Sequence, residues 1–512
     1  MDACTDVRRH DVAEEQAAEQ GTEPGAVAEQ GDADGTGEAG QRPAKPRKNG
    51  VAPQVSDELA ENMKQGWADT ERHDLKPVPQ AEHTARRRAA LSARFPGERL
   101  VVPAGRLKTR SNDTEYPFRA AVEYAYLTGD QTENGVLVLE PSGEGHDATL
   151  YLLPRSDREN GEFWLSGQGE LWVGRRNSLT EAARLYGLPV EDIRTVPDLL
   201  RGASGPVRVV RGHDTVVEEA LRDKVTAERD EEFREFLSEM RLVKDDFEIA
   251  ELTRACDSTA RGFEDVVRAL DRAQATSERY IEGTFFLRAR VEGNDVGYGT
   301  IAAAGPHATT LHWVRNDGPV RPGDLLLLDA GVETTELYTA DVTRTLPVSG
   351  RFTELQRRIY DAVYEAQEAG IAAVRPGAKY RDFHTAAQRV LTEKLVEWGL
   401  IDGPVERVLE LGLQRRWTLH GTGHMLGMDV HDCAAARRET YVDGTLEPGM
   451  CLTVEPGLYF QADDLTVPEE YRGIGVRIED DILVTEDGNV NLSAALPRRA
   501  DDVERWMAEL RG

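Results

Sequence analysis

Four short stretches of this 512-residue sequence place acids and histidines where chemistry could use them. The apolar run Leu325–Leu328 ends in Asp329. Twelve residues on, Tyr338-Thr-Ala-Asp341-Val-Thr-Arg344-Thr sets a second acid inside another apolar strand. Two strands joined by a short loop would bring these carboxylates together. An ionised carboxylate in an apolar strand is costly unless something compensates it, and a metal ion does so efficiently. The plainer alternative is that each Asp caps a turn or pairs with Arg344.

The second stretch is His420-Gly-Thr-Gly-His424-Met-Leu-Gly-Met-Asp-Val-His431-Asp432, which holds three of the eleven histidines within twelve residues. Its glycines permit close backbone approach, so ligation and proton transfer are the readings to test. In the third, Glu455 follows the apolar Leu452-Thr-Val and precedes Pro456-Gly457. In the fourth, Gly473-Ile-Gly475-Val-Arg477-Ile-Glu479-Asp480, strand alternation puts Gly475, Arg477 and Glu479 on one face and Asp480 on the other. Arg477 and Glu479 could simply be an ion pair. Asp329, Asp341, His424, Glu455 and Glu479 together give four carboxylates and one imidazole, with no thiolate. That donor set suits a pair of hard divalent ions such as Mn²⁺ better than structural zinc. Two such ions can share carboxylates and a bridging hydroxide.

Elements able to position these residues are visible in the pattern. Helical periodicity covers His83–Phe95. Strand-like runs follow at Leu100–Pro103, Gly135–Leu139, Thr149–Leu153 and Glu170–Val173, and Ser178-Leu-Thr-Glu181 is a capping box. Strands alternating with helices give an α/β domain, placed at residues 57–240 with charged, Gly-poor helices closing it. Residues 241–512 carry helices, one capped by Thr353-Glu-Leu-Gln356, and strands at 325–328, 450–460 and 474–484. This predicts an α+β domain with a largely antiparallel sheet.

Composition narrows the function. Ninety-two acidic residues against 62 basic give a net charge of −30, which disfavours a nucleic-acid binder. The first forty residues contain 11 acids and 2 bases and no Leu, Ile, Phe, Tyr or Trp, so residues 1–55 are expected to form a disordered acidic tail. They are unlike a secretory signal. No apolar run is long enough to span a membrane. The four cysteines, at positions 4, 256, 433 and 451, form no CxxC pair, so neither a Cys-based zinc site nor a disulfide framework is expected. A cytoplasmic, soluble protein is expected.

The order and wording of the four stretches resemble the pita-bread metallopeptidases, specifically the bacterial aminopeptidase P (Xaa-Pro aminopeptidase) family. The resemblance runs from about residue 80 to the C-terminus. Its most specific pieces are Asp341-Val-Thr-Arg-Thr, His420-Gly-Thr-Gly-His424, Thr453-Val-Glu455-Pro-Gly-Leu-Tyr459 and Tyr471-Arg-Gly-Ile-Gly-Val-Arg477-Ile-Glu479-Asp-Asp. Glu115-Tyr-Pro-Phe-Arg and Tyr126-Leu-Thr-Gly also match.

The resemblance implies a pita-bread catalytic domain behind the α/β domain. It implies a dinuclear centre, with Asp341 and Glu479 bridging, Asp329 on one ion, and His424 with Glu455 on the other. His312, His420 and His431 would surround the substrate, Arg477 would support the bridge, and Glu455 would also accept a proton. The implied reaction releases the first residue of a peptide whose second residue is proline, through attack by a bridging hydroxide. Partners would be such peptides and copies of the same chain, as a dimer or tetramer. Two departures stand out: the Asp329–Asp341 spacing is one residue longer than the family pattern, and Ala125 stands where family members carry Trp. Rival readings are an Xaa-Pro dipeptidase (prolidase), a methionine aminopeptidase, and a metal-free pita-bread scaffold.

Overall fold

The computed structural model describes residues 55–112 and 114–512. The acidic tail expected over residues 1–55 lies, but for Val55, outside the described residues.

The apolar runs near the N-terminus pair into a five-stranded mixed sheet. Its order is Val190–Asp192, Gly145–Leu152, Val136–Ser142, Arg99–Pro103, Val207–Val209. The three inner strands are antiparallel, and each outer strand runs parallel to its neighbour. Leu100, Val101, Val102, Leu137 and Val138 are fully buried, because apolar side chains on both faces meet helices. The helix Ala81–Arg94 covers the expected span. The capping box at Ser178 forms as expected: the Ser178 hydroxyl accepts from Glu181 N, and the Glu181 carboxylate accepts from Ser178 N, both at 3.0 Å.

One expected strand is a single helical turn. Glu170–Val173 lies between Gly169 and Gly174. The Glu170 carboxylate turns inward, accepting from Ser156 N at 2.9 Å and Arg176 N at 2.8 Å and pairing with Arg155. This network fixes the turn and leaves Leu171, Trp172 and Val173 at 52–59% exposure. A four-residue apolar run carries no period that separates strand from turn.

The helices Thr215–Leu221, Ala227–Met240 and Asp246–Gln274 lead into a second, α+β domain. There Ile301–Ala304, Leu325–Ala330 and Val342–Pro347 form one antiparallel sheet with Leu325–Ala330 at the centre. Cys451–Val454 and Gly488–Asn491 flank Asp480–Thr485, and Gly457–Phe460 pairs with Ile474–Arg477. The helices Glu278–Glu292, Glu354–Ala373 and Arg381–Glu397 pack outside these sheets, which gives the pita-bread arrangement. Apolar packing is continuous between the domains: Leu426, Met428 and Tyr338 join the core built by Leu100 and Tyr124.

Arg344 is fully buried at the seam of the second domain. It pairs with Asp480 at 2.8 Å, not with Asp341, and donates to the carbonyls of Thr343, Glu479, Leu496 and Pro497. One side chain thus ties the Val342–Pro347 strand to Asp480–Thr485 and to the C-terminal segment. Removing Arg344 would leave the buried Asp480 only Arg498, at 3.4 Å, as a charged partner. Arg344→Met is expected to cost about 3–5 kcal/mol, read as a lower urea midpoint at unchanged m-value.

Candidate active site

Each of the four candidate acids sits at a strand end or in the turn beside it. Asp329 is the fifth residue of Leu325–Ala330 and stands opposite Thr343. Asp341 lies one residue before Val342–Pro347 rather than within it, and its N–H donates to Asp481 Oδ2 at 3.0 Å. Glu455 follows Cys451–Val454 and donates its N–H to Thr422 O at 2.8 Å, while Glu479 donates its N–H to Thr343 O at 3.1 Å. His424 is laced to the same strand in both directions: Thr453 N donates to His424 O at 2.9 Å, and His424 N donates to Thr453 Oγ1 at 3.1 Å.

The glycine before His424 makes that lacing possible. A Cβ on Gly423 would lie 2.0 Å from Thr453 O, whereas one on Gly421 would find nothing nearer than 3.9 Å. Only the first glycine is imposed by close approach.

These side chains line one cavity of about 560 Å³, together with His312, His420, His431, Arg477 and Tyr298. Donor atoms of Asp341, His424 and Glu479 all lie within 4.8 Å of one another. His424 Nε2 is 3.3 Å from Asp341 Oδ2 and 3.7 Å from Glu455 Oε1. Asp329 accepts from Tyr298 OH at 2.6 Å and from the Arg477 guanidinium. The ion pair considered between Arg477 and Glu479 is therefore an Arg477–Asp329 pair. Alternation otherwise holds: Arg477 and Glu479 face the cavity and Asp480 faces Arg344.

Burial and mutual repulsion show in the acidities. Burial, then the charges of Asp341, Glu455 and Asp329, pushes the Glu479 carboxyl well above the usual range. Burial raises Glu455 to about 7 and also raises Asp329. Burial opposes a charge on His424, but the Asp341 hydrogen bond and the charge of Glu455 push the imidazole up to about 9. Asp341 is buried too, yet the hydrogen bond and charge of His424 hold it below the usual range. Four carboxylates thus face one guanidinium and one imidazole, which leaves the cavity short of positive charge. An oxygen-rich donor set with that deficit fits hard divalent cations.

A hydrogen-bonded chain runs from Arg477 to His420. Arg477 Nη1 donates to Tyr459 OH at 3.0 Å, and that hydroxyl lies 2.9 Å from His420 Nε2. His420 Nδ1 lies 3.6 Å from Glu455 Oε2. Burial, then Arg477, lowers His420 to about 3, so it stays neutral. His431 packs edge-on against His424 with ring centroids 4.3 Å apart. Burial and the neighbouring His424 lower it.

The first domain supplies no residue to the cavity lining. Ala125 is buried in that domain's core and does not reach the cavity. The domain acts instead on the loop between His424 and Asp432. Its Arg119 donates to Met428 O and pairs with Asp429 at 3.0 Å and Glu333 at 2.6 Å. Behind the loop, Arg241 and Lys244 hold the buried Asp432 at 3.0 and 3.3 Å. Sequence reasoning gave no role to Tyr298, Thr343 or Arg119. Thr343, whose hydroxyl donates to Glu479 at 2.6 Å, was accessible through its two-residue spacing from Asp341. Tyr298 carries no local signal, and Arg119 appeared only as the last residue of the matched Glu115-Tyr-Pro-Phe-Arg stretch.

The sequence matches Metallopeptidase family M24 over residues 250–486 and the Aminopeptidase P, N-terminal domain over residues 84–208. Fold and site therefore define a metallopeptidase that uses divalent metal. The chain is 80% identical to Xaa-Pro aminopeptidase 1 of Streptomyces coelicolor over 477 residues, covering 93% of this chain and 97% of that protein. It is 34% identical to the Xaa-Pro aminopeptidase of Escherichia coli, covering 85% and 100%. Among solved structures, Pseudomonas aeruginosa aminopeptidase PepP superposes with a TM-score of 0.75 at 31% identity, covering 85% of this chain and all of that one. An Escherichia coli aminopeptidase P variant solved in complex with substrate gives 0.75 at 33% identity, with the same coverage. The chain belongs to the Xaa-Pro aminopeptidases of metallopeptidase family M24.

The two glycines of the His420–His424 stretch separate by stability. Gly423→Ala is expected to cost about 1–3 kcal/mol, the usual price of overpacking, and Gly421→Ala close to nothing. Thermal unfolding of both variants checks this, and equal melting temperatures would contradict the close-approach argument.

Proposed function

We propose that this protein removes the first residue of peptides whose second residue is proline, using two divalent ions, Mn²⁺ by preference. Asp329, Asp341, His424, Glu455 and Glu479 would hold them, with Asp341 and Glu479 shared. The observation that carries this reading is the convergence of four buried carboxylates on a cavity with too few cations of its own. Bound there, the ions would act as Lewis acids on a carbonyl and make water acidic enough to serve as a nucleophile at neutral pH.

The protein's own groups supply the rest. Proline presents no N–H, so the substrate must be recognised by shape and by its other polar groups. Ile301, Leu311, Val314 and Val430 give the cavity an apolar wall suited to a pyrrolidine ring. Glu455, between His424 and His420 at the cavity wall, is placed to take a proton and return it to the leaving nitrogen. His312 and His431 line the cavity and would donate to the oxygen that gains charge. Arg477 holds Asp329 and, through Tyr459, sets the orientation of His420. No helix among the described residues is long and apolar enough to cross a membrane, and Cys256, Cys433 and Cys451 are free and buried. The free thiols support a cytoplasmic location. Exposed Leu171, Trp172, Leu287 and Val291 support a homo-oligomer.

Activity is tested by metal-depleted and Mn²⁺-reconstituted protein on an Xaa-Pro dipeptide and on a longer Xaa-Pro peptide. Cleavage of the dipeptide alone would favour the prolidase reading, and full activity after depletion would remove the metal. His424→Ala should lose both metal and turnover. His431→Ala should keep its metal and lose about 10²–10³-fold in kcat, and metal analysis on both variants checks the split.

Metal loading should also release protons. In the metal-free protein His424 is charged below about 9 and Glu455 is protonated below about 7. Cations must displace those protons, so apparent affinity should rise with pH through that window and level off above it. Calorimetry at pH 7 in buffers of different ionisation enthalpy should show about one to two protons released per chain. A pH-independent affinity would contradict the ligand set.

A further inference from the structure

One loop of the active-site cavity is clasped by a carboxylate that does not line it. The chain leaves the strand Ile301–Ala304, turns through the 3₁₀ helix Gly305–Thr309 and then brings Leu311, His312 and Val314 to the cavity before reaching Gly318. His312 and Val314 are exposed, and the His312 ring makes no hydrogen bond among the described residues. The place of that ring is therefore set by the loop backbone and not by partners of its own.

Glu278 fixes that backbone. It opens the helix Glu278–Glu292 and is fully buried. Its Oε1 accepts from Ala304 N at 2.8 Å and lies 2.8 Å from His307 Nδ1. Its Oε2 accepts from Trp313 Nε1 at 2.9 Å and from Gly318 N at 2.7 Å. One oxygen thus holds the loop before His312, and the other holds it after. Glu278 N closes the clasp by donating to Gly318 O at 2.9 Å. His307 and Trp313 stack beside the carboxylate, with ring centroids 3.8 Å apart and planes 22° from parallel. Ala304 N, Gly318 N and Trp313 Nε1 can only donate. An amide at 278 would turn its NH₂ toward at least one of them whichever way round it sat. A buried carboxylate is costly, and here the hydrogen bonds and the helix N-terminus compensate it.

Other residues fasten one side of the loop only. Gln461 Nε2 donates to Thr309 O at 2.7 Å and its Oε1 accepts from Thr309 Oγ1 at 2.9 Å. Asn316 Oδ1 accepts from Ala302 N, and its Nδ2 donates to Thr300 O, both at 2.9 Å. These contacts keep each side on the neighbouring strands. Glu278 bonds to both sides and so sets the span between them, where His312 lies. We propose that Glu278 is a positioning residue for the hydrolysis: its carboxylate holds the His312 ring facing the oxygen that gains charge. The proposal rests on the Xaa-Pro aminopeptidase reading, in which His312 donates to that oxygen, and adds that a buried acid outside the cavity controls this histidine.

The test is a double-mutant cycle on Mn²⁺-loaded protein with an Xaa-Pro tripeptide, using wild type, Glu278→Gln, His312→Ala and the double variant. Glu278→Gln should lower kcat about tenfold with KM and metal content close to wild type. The double variant should be no slower than His312→Ala alone, because the loop then has no ring to position. Trp313→Phe keeps an aromatic ring at the half-buried position 313 and removes one donor to Oε2. It should lower kcat about threefold, and that loss too should vanish in the His312→Ala background. This second cycle decides the matter if Glu278→Gln does not fold. Three results would overturn the proposal: unchanged kcat in Glu278→Gln, loss of metal from it, or a double variant slowed by the full product of the two single losses. Full turnover by His312→Ala, or no cleavage by wild type, would instead overturn the reading on which the proposal rests.

Discussion

The crowding of four carboxylates into one buried cavity governs the rest of this structure. Asp329, Asp341, Glu455 and Glu479 are drawn from four separate chain segments, and left alone they would repel one another and pull water in. The fold opposes this with backbone restraint rather than with more cations. Glu479 N is bonded to Thr343 O, Glu455 N to Thr422 O and Asp341 N to the Asp481 carboxylate, so three of the four acids are fixed through their own peptide groups. The repulsion is thereby stored as carboxyls at Asp329, Glu455 and Glu479 that hold their protons more tightly, rather than released by movement. A site held in this state binds cations without first having to organise itself.

The same logic explains what the first domain does. It gives the cavity no side chain, yet Arg119 crosses to the loop that carries His424 and His431. Arg87 adds a second brace by pairing with Asp245 and Glu248 at the start of the long helix Asp246–Gln274, where Tyr338 OH donates to Glu248 at 3.3 Å. Tyr338 lies three residues before Asp341. Both braces are buried or half-buried guanidinium–carboxylate contacts, the kind that loses most when one partner is removed.

Residues whose role is written in local sequence were legible. The strand-end acids announced themselves because a charge in an apolar run needs a reason, and the His-Gly-Thr-Gly-His spacing did so because glycine at 423 serves a backbone contact. The capping boxes at Ser178 and Thr353 were readable for the same reason: donor and acceptor lie three residues apart. Glu170–Val173 was misread because its conformation is set by the Arg155 side chain and the peptide N–H groups of Ser156 and Arg176, outside any local window. Arg344 chose Asp480 over Asp341, and Arg477 chose Asp329 over Glu479. In each case the nearer acid along the chain lost to one brought close by the packing of strands from different sheets. Ala125 shows the limit from the other side: a substitution noticed against the family pattern falls where this chain buries it away from the cavity.

One wall of the cavity is organised by a group that can only donate. Arg477 donates to Tyr459, whose hydroxyl lies 2.9 Å from His420 Nε2, and His420 Nδ1 lies 3.6 Å from Glu455. Burial, and then the guanidinium charge, keeps His420 neutral. The opposite wall has no such chain: His431 meets the edge of His424. One side of the cavity is thus tied to the carboxylates, and the other is free to give a hydrogen bond to whatever develops negative charge between them. A cavity in which water must lose a proton and a leaving nitrogen gain one during a single cleavage is served by this division, because the group that moves the proton and the group that steadies the charge then stand on different walls.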